Sequence, residues 1–242
     1  MSSIFGFLSK SKILKENAFQ AQKYFFGSDG DMVIFDVGAY IGEVAATYKK
    51  IFPNATIYCF EPFEDSFQKL MRLASDKSIK PYQMAVSDSV GRIKLHVNVD
   101  PSCNSFFPIA KHSVRYYPKA AENIEVIEVN TTTIDHFCDT QRIPTIDILK
   151  LDVEGAEIRA LKGAHNKLSK QDISIIYTEV MFIPHYKGAC MFHELTSFLS
   201  QCDYTLFNLY GLKRAKNGQL RWGNAIFLSP QVRAKFEAGI SA

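Results

Sequence analysis

The sequence predicts an α/β fold: a largely parallel sheet with helices on both faces and an inserted β-hairpin. Three observations lead there. Apolar runs rich in Ile, Val, Tyr and Phe, each bounded by turn residues, read as strands buried on both faces. Segments of helical periodicity alternate with the first five of these runs, as crossover helices do in parallel sheets. Finally, 242 residues with 47% hydrophobic content are enough for one sizeable core. The expected organisation is an N-terminal helical extension (1–31), one α/β domain (32–230) and a C-terminal tail (231–242).

In chain order, a helix over 12–26 carries Ile13, Leu14, Phe19, Tyr24 and Phe25, suited to closing over a ligand or to forming a homodimer face. Strands follow at 33–37, 56–60 and 78–85, with helices at 42–51 and 64–74 between them. The segments 91–99 (GRIKLHVNV) and 123–137 (NIEVIEVNTTTIDHF) read as the inserted hairpin. Between them, 100–122 is long, irregular and aromatic, with Phe106, Phe107, Tyr116 and Tyr117, and connections of that length tend to be functional. A strand at 146–153 leads into a helix over 157–168, whose Ile158, Leu161, Ala164 and Leu168 share one face. A strand at 173–180, a helix at 191–201 and strands at 204–209 and 225–228 complete the set.

Composition narrows the function. The net charge is +3, and the 28 basic residues are dispersed, unlike the clustered cations that track a nucleic-acid backbone. Five cysteines with no CxxC pair suit neither a disulfide framework nor a zinc site, and point to a reducing, cytoplasmic compartment. The opening MSSIFGFLSKSK holds too short an apolar patch for a signal or a membrane span.

The stretch VIFDVGAYIGEV ends a buried strand on Asp36 and turns through Gly38 and Gly42 into a helix. Glycine there permits positive φ and close approach to a ligand, and the helix N-terminus favours an anionic group. Gly42 also suits plain helix–strand packing. Tyr40 stands where a pyrophosphate clamp needs its second glycine, which disfavours a nicotinamide-dependent oxidoreductase, the alternative enzyme class. The next strand, ATIYCFEP, ends in Glu61, an acid placed to accept both hydroxyls of a ribose, followed by Pro62. Ser87 and Asp88 close the third strand within reach of an adenine edge.

The succession DVGAYIG, FEP, AVSDSVGRIKLHV, VNTTTIDHF, IDILKLDVEGAEIRALKGA and IIYTEV resembles the FkbM-type S-adenosylmethionine-dependent methyltransferases over residues 32–182. The resemblance implies a seven-stranded Rossmann-like methyltransferase sheet ending in an antiparallel hairpin. It also implies S-adenosyl-L-methionine as cofactor and a sugar, glycan or secondary-metabolite hydroxyl as acceptor. Carried over by position, Asp36, Gly38, Ala39, Tyr40 and Gly42 would surround the methionine part, with Asp36 reaching its ammonium through water. Glu61 and Pro62 would meet the ribose, and Val86 and Ser87 the adenine. Tyr40 departs from the asparagine more common in such proteins.

Methyl transfer to an alcohol needs alignment and a proton acceptor. Asp152 and Glu154 follow one strand, Glu179 ends the next, and His185 lies in the loop opened by Pro184, so these four are the catalytic candidates, Asp152 also facing the cofactor. Asp152, Glu154 and Glu157 could instead cap the helix that follows. Asp152, Glu154, Glu179 and His185 could also hold a divalent cation, a reading less favoured than metal-free catalysis. Lys150 reads as ion-paired or snorkelling. His193 is a weaker proton acceptor, and His96 and His136 read as structural. Asn104, Ser105 and His112 are candidate donors and acceptors for acceptor hydroxyls. A catalytically silent module binding S-adenosylmethionine remains the non-enzymatic alternative.

Overall fold

The computed structural model describes residue 14, residues 16–111 and residues 122–240. Its main sheet has seven strands: β1 (Val33–Val37), β2 (Thr56–Phe60), β3 (Ile79–Tyr82), β7 (Ile146–Leu151), β8 (Ile173–Met181), β9 (Thr205–Arg214) and β10 (Leu220–Leu228). Their spatial order is β3-β2-β1-β7-β8-β10-β9. The first five are parallel, and β10 runs antiparallel to both β8 and β9.

Side-chain alternation sends Phe35 and Leu149 to one face and Ile34 and Ile148 to the other, so each face has its own buried cluster. Helices α4 (Ile134–Gln141), α5 (Glu157–Lys162), α6 (His165–Ser169) and α7 (Phe192–Ser200) supply residues to the first cluster. Helices α1 (Ala18–Phe26), α2 (Glu43–Ile51), α3 (Glu64–Leu70) and α8 (Pro230–Ile240) supply the second. Among the described residues no helix is long and apolar enough to cross a membrane.

Several boundaries differ from expectation. The segment 78–85 is not one strand: β3 stays in the main sheet, while β4 (Ala85–Val86) joins a second sheet, β4-β6-β5, with β5 (Gly91–Asn98) and β6 (Asn123–Thr132). The inserted hairpin is therefore three-stranded, with its own apolar centre at Ala85, Leu95 and Val129. Residues 134–137 belong to a helix, because Thr133 Oγ1 accepts the amide of His136 (3.0 Å) and caps α4. The helix expected over 157–168 breaks at Gly163, where a Cβ would lie 2.1 Å from the Ser87 carbonyl oxygen. Helix α6 restarts with Asp135 accepting the amides of Asn166 and Lys167. The helix over 64–74 tightens into a 3-10 turn after Leu70.

The expected tail is helix α8, whose Phe236 ring lies 5.5 Å from Phe25 and 5.4 Å from Phe207. Helix α1 turns Phe19 to the core, where it sits edge-on to Tyr48 and Tyr177, while Tyr24 is exposed. Ile13, Tyr116 and Tyr117 lie outside the described residues.

Candidate active site

The C-terminal ends of β1, β2, β7 and β8 border a cavity of about 490 Å3, roofed by residues 100–109 and by the loop around His185 and Tyr186. Open α/β sheets bind ligands at this edge.

At one end, the β1 turn is fixed by amides of Gly38 and Ala39 donating to the Phe60 carbonyl (3.0 Å each). Gly38 has φ +73, and a Cβ there would lie 1.8 Å from the Asp152 backbone oxygen, so only glycine lets β1 and β7 turn side by side. Tyr40 follows with φ +49, a conformation costly for a residue with a large side chain. Its amide donates to Glu61 Oε2 (2.9 Å) while Phe63 donates to Glu61 Oε1 (2.9 Å). Both oxygens are thus oriented by backbone, and the carboxylate borders the cavity. Burial pushes the Glu61 carboxyl up to about 7, against the pull of those two amides.

Register explains the buried lysine. Lys150 of β7 lies directly opposite Asp36 of β1, and its Nζ is 2.9 Å from Asp36 Oδ1, 2.8 Å from the Gly38 carbonyl and 3.7 Å from Asp152 Oδ2. Burial raises Asp36 despite the ammonium beside it; burial also works against the charge on Lys150, but Asp36 and Asp152 outweigh it and hold the lysine above its usual range. Asp36 is fully buried and does not border the cavity, and its carboxylate is paired with Lys150, which does.

At the other end, Asp152, Glu154 and Glu179 bring carboxylate oxygens within 4.8 Å of one another, close enough to hold a cation between them. Burial, then repulsion from Asp152, pushes Glu154 up to about 8, and burial with repulsion from Glu154 raises Glu179 well above the carboxylate range. The Tyr186 hydroxyl lies 2.7 Å from Glu154 Oε2 and 3.1 Å from the Cys103 carbonyl. His185 is buried and borders the same space.

Of the residues expected to bind ligand, Gly38, Ala39, Tyr40, Glu61, Pro62, Val86, Asn104, Ser105, Asp152, Glu154, Glu179 and His185 all border this one cavity. Gly42 and Ser87 do not. A Cβ on Gly42 would lie 2.4 Å from Leu73 and 2.9 Å from Leu70, so this glycine serves helix packing. Ser87 is buried, its amide donating to Thr132 and its carbonyl packed on Gly163. Ser105 spends its hydroxyl on the Glu154 carbonyl (2.7 Å) and the Phe107 amide, so it shapes the turn rather than meeting an acceptor. Asn104 accepts the Asn98 amide through Oδ1, and its buried Nδ2 has no hydrogen-bond partner among the described residues. His112 lies outside the described residues.

Glu157 caps the turn by accepting amides of Val153 and Gly155. His193 does not border the cavity, His96 pairs its backbone with Ser105, and His136 is exposed on α4. Sequence reasoning missed Tyr186, Asp100, Trp222 and Asn224. Trp222 and Asn224 could have been found from the alternation that extends β10 back through LRWGN.

A family model described as the methyltransferase FkbM domain matches residues 36–206. The 2-O-methyltransferase NoeI of Sinorhizobium fredii is 26% identical over 165 residues, covering 65% of this chain and 67% of that protein. The hexuronic acid methyltransferase AglP of Haloferax volcanii is 28% identical over 156 residues, covering 63% of this chain and 57% of that protein. Among solved structures, a methyltransferase FkbM from Methylobacillus flagellatus superimposes with a TM-score of 0.54 at 17% identity. That match covers 88% of this chain and 48% of the other, and shows a shared fold.

Proposed function

The chain belongs to the FkbM methyltransferase family, and from that membership we propose that it is a cytoplasmic, S-adenosylmethionine-dependent O-methyltransferase acting on a hydroxyl of a sugar, glycan or glycosylated metabolite. One observation carries the reading: a single cavity has a backbone-oriented carboxylate, Glu61, at one end and a cluster of three carboxylates at the other. The residues present fit the cofactor. The Glu61 carboxylate faces the cavity with its geometry set by two amides, suiting a ribose diol. Gly38 brings the β1 turn against β7 without a side chain in the way, and Val86 and Pro62 offer apolar wall for a base. The volume lies within the range of small-molecule sites, roughly 300–1,000 Å3. The sugar acceptor is supported by the name of the hexuronic acid methyltransferase AglP, and oxygen as the methylated atom by that of the 2-O-methyltransferase NoeI.

When bound, the cofactor supplies an electrophilic methyl group on a sulfonium. The chain's own part is to hold donor and acceptor in line and to take the acceptor's proton on a carboxylate close by. Asp152, Glu154, Glu179 and His185 stand around the space where that acceptor would lie, and Asn104 Nδ2 offers a donor to a hydroxyl.

Calorimetry with S-adenosylhomocysteine tests the reading, with mass spectrometry of sugar acceptors for the gain of a methyl group. Binding by the wild type that weakens at least about tenfold in Glu61→Ala is expected, the loss of hydrogen bonds to a charged group. Wild-type protein that fails to bind S-adenosylhomocysteine contradicts it.

A further inference from the structure

We infer that Glu154 is the group that takes the acceptor's proton and that Tyr186, a positioning residue, holds it for that task. This rests on the methyltransferase reading above. Two separated parts of the chain converge on Glu154. From β8's following loop, the Tyr186 hydroxyl reaches Glu154 Oε2 at 2.7 Å. From the segment after β5, Ser105 Oγ donates to the Glu154 backbone carbonyl at 2.7 Å. Those two segments are tied to each other, because Ala110 donates to the His185 carbonyl, Lys187 to the Pro108 carbonyl, and Ile109 pairs with Tyr186.

The backbone is held as firmly. Glu154 has φ +52, an unfavourable conformation for glutamate that persists only where its surroundings impose it. The next residue, Gly155, accepts the Cys190 amide and sits so close to Ala189 that a Cβ would lie 2.5 Å away. Helix capping does not account for this arrangement, since Glu157 already accepts the amides of Val153 and Gly155. Tyr186 is buried, and its hydroxyl lies 2.7 Å from the Glu154 carboxylate, nearer than the 3.1 Å to the Cys103 carbonyl, so the phenol is held where it bonds Glu154.

In the step, the acceptor hydroxyl's proton passes to Glu154 while the oxygen's electron pair bonds the methyl carbon. The pair from the broken sulfur–carbon bond stays on sulfur. The groups facing Glu154 that set its charge are Asp152 just after β7, Glu179 on β8, Glu157 on α5, Asp100 in the roof, and Tyr186. All but Tyr186 favour its protonated form. The Tyr186 hydroxyl favours the carboxylate, so removing it moves the Glu154 titration to higher pH.

The experiment compares wild type, Tyr186→Phe and Glu154→Gln by turnover against pH, acceptor KM, S-adenosylhomocysteine affinity and NMR titration of the glutamate side-chain carboxyls. Tyr186→Phe is expected to lower kcat at neutral pH about tenfold and to shift the rising limb of the profile upward, with acceptor KM and cofactor affinity within about threefold. Glu154→Gln is expected to lose about 10² or more in kcat. An unmoved limb in Tyr186→Phe, or a Glu154→Gln enzyme within tenfold of wild type, overturns the inference. If wild type methylates no sugar, the function proposed above fails separately. The NMR titration then decides the placement of Glu154 by itself: an upward shift in Tyr186→Phe supports it and no shift refutes it.

Discussion

The two ends of the cavity are built in opposite ways. The end that holds Glu61 comes mainly from one contiguous stretch, residues 36–63, folded as two neighbouring parallel strands and their turns, with Val86 added to its wall. The carboxylate end is assembled from four distant stretches: the roof at 100–109, the β7 turn at 150–157, the end of β8 with its loop, and Trp222 and Asn224 of β10. Local turn chemistry fixes the first. The second exists only once the sheet and its insertion have docked. Substitutions at the contiguous end should therefore act on cofactor affinity, and those at the assembled end on turnover.

The largest expected effect would break that contrast if it were absent. Gly38→Val puts a side chain into the Asp152 backbone where no flexible group can yield, and adds about 1–3 kcal/mol of strain for positive φ. Loss of measurable S-adenosylhomocysteine binding and a lower thermal midpoint are expected, read by calorimetry and by circular dichroism on heating. At the assembled end, Asp152→Asn or Glu179→Gln should cut kcat by about 10² while cofactor affinity stays within a few fold. Equal losses of affinity at both ends would erase the distinction.

A smaller effect appears with pH. Burial raises Glu61 and Glu157 to about 7 and Glu154 to about 8, against an ordinary glutamate value of 4.5. A carboxyl whose folded value exceeds its unfolded one binds its proton more tightly in the fold, so its contribution is most favourable below 4.5 and is lost as pH rises through the folded value. The thermal midpoint should fall between about pH 5 and about pH 8.5, and Glu157→Gln should flatten that slope. The smallest expected effect is a gain: Tyr40→Asn places a residue tolerant of positive φ at φ +49 and should stabilise by up to about 1 kcal/mol.

The same contrast explains what the sequence disclosed. The five parallel strands were legible because apolar runs and strand-end acids are local features, and Glu61 and Gly38 were legible with them. Gly42 looked the same as Gly38, yet it faces Leu70 and Leu73, a difference visible only when α3 and its 3-10 extension have packed. Ser105 was an expected acceptor contact, but the docking of the roof turns its hydroxyl onto Glu154. Tyr186 carried no motif at all, and its role emerges from the meeting of two loops. Lys150 was readable as ion-paired, while its partner Asp36 is fixed by register across β1 and β7.

A crystal structure of the protein soaked with S-adenosylhomocysteine tests most directly whether one cavity holds both reactants. The ribose hydroxyls should rest on the Glu61 carboxylate, with the sulfur pointing toward Asp152, Glu154 and Glu179. A nucleoside bound elsewhere, leaving Glu61 untouched, would contradict it.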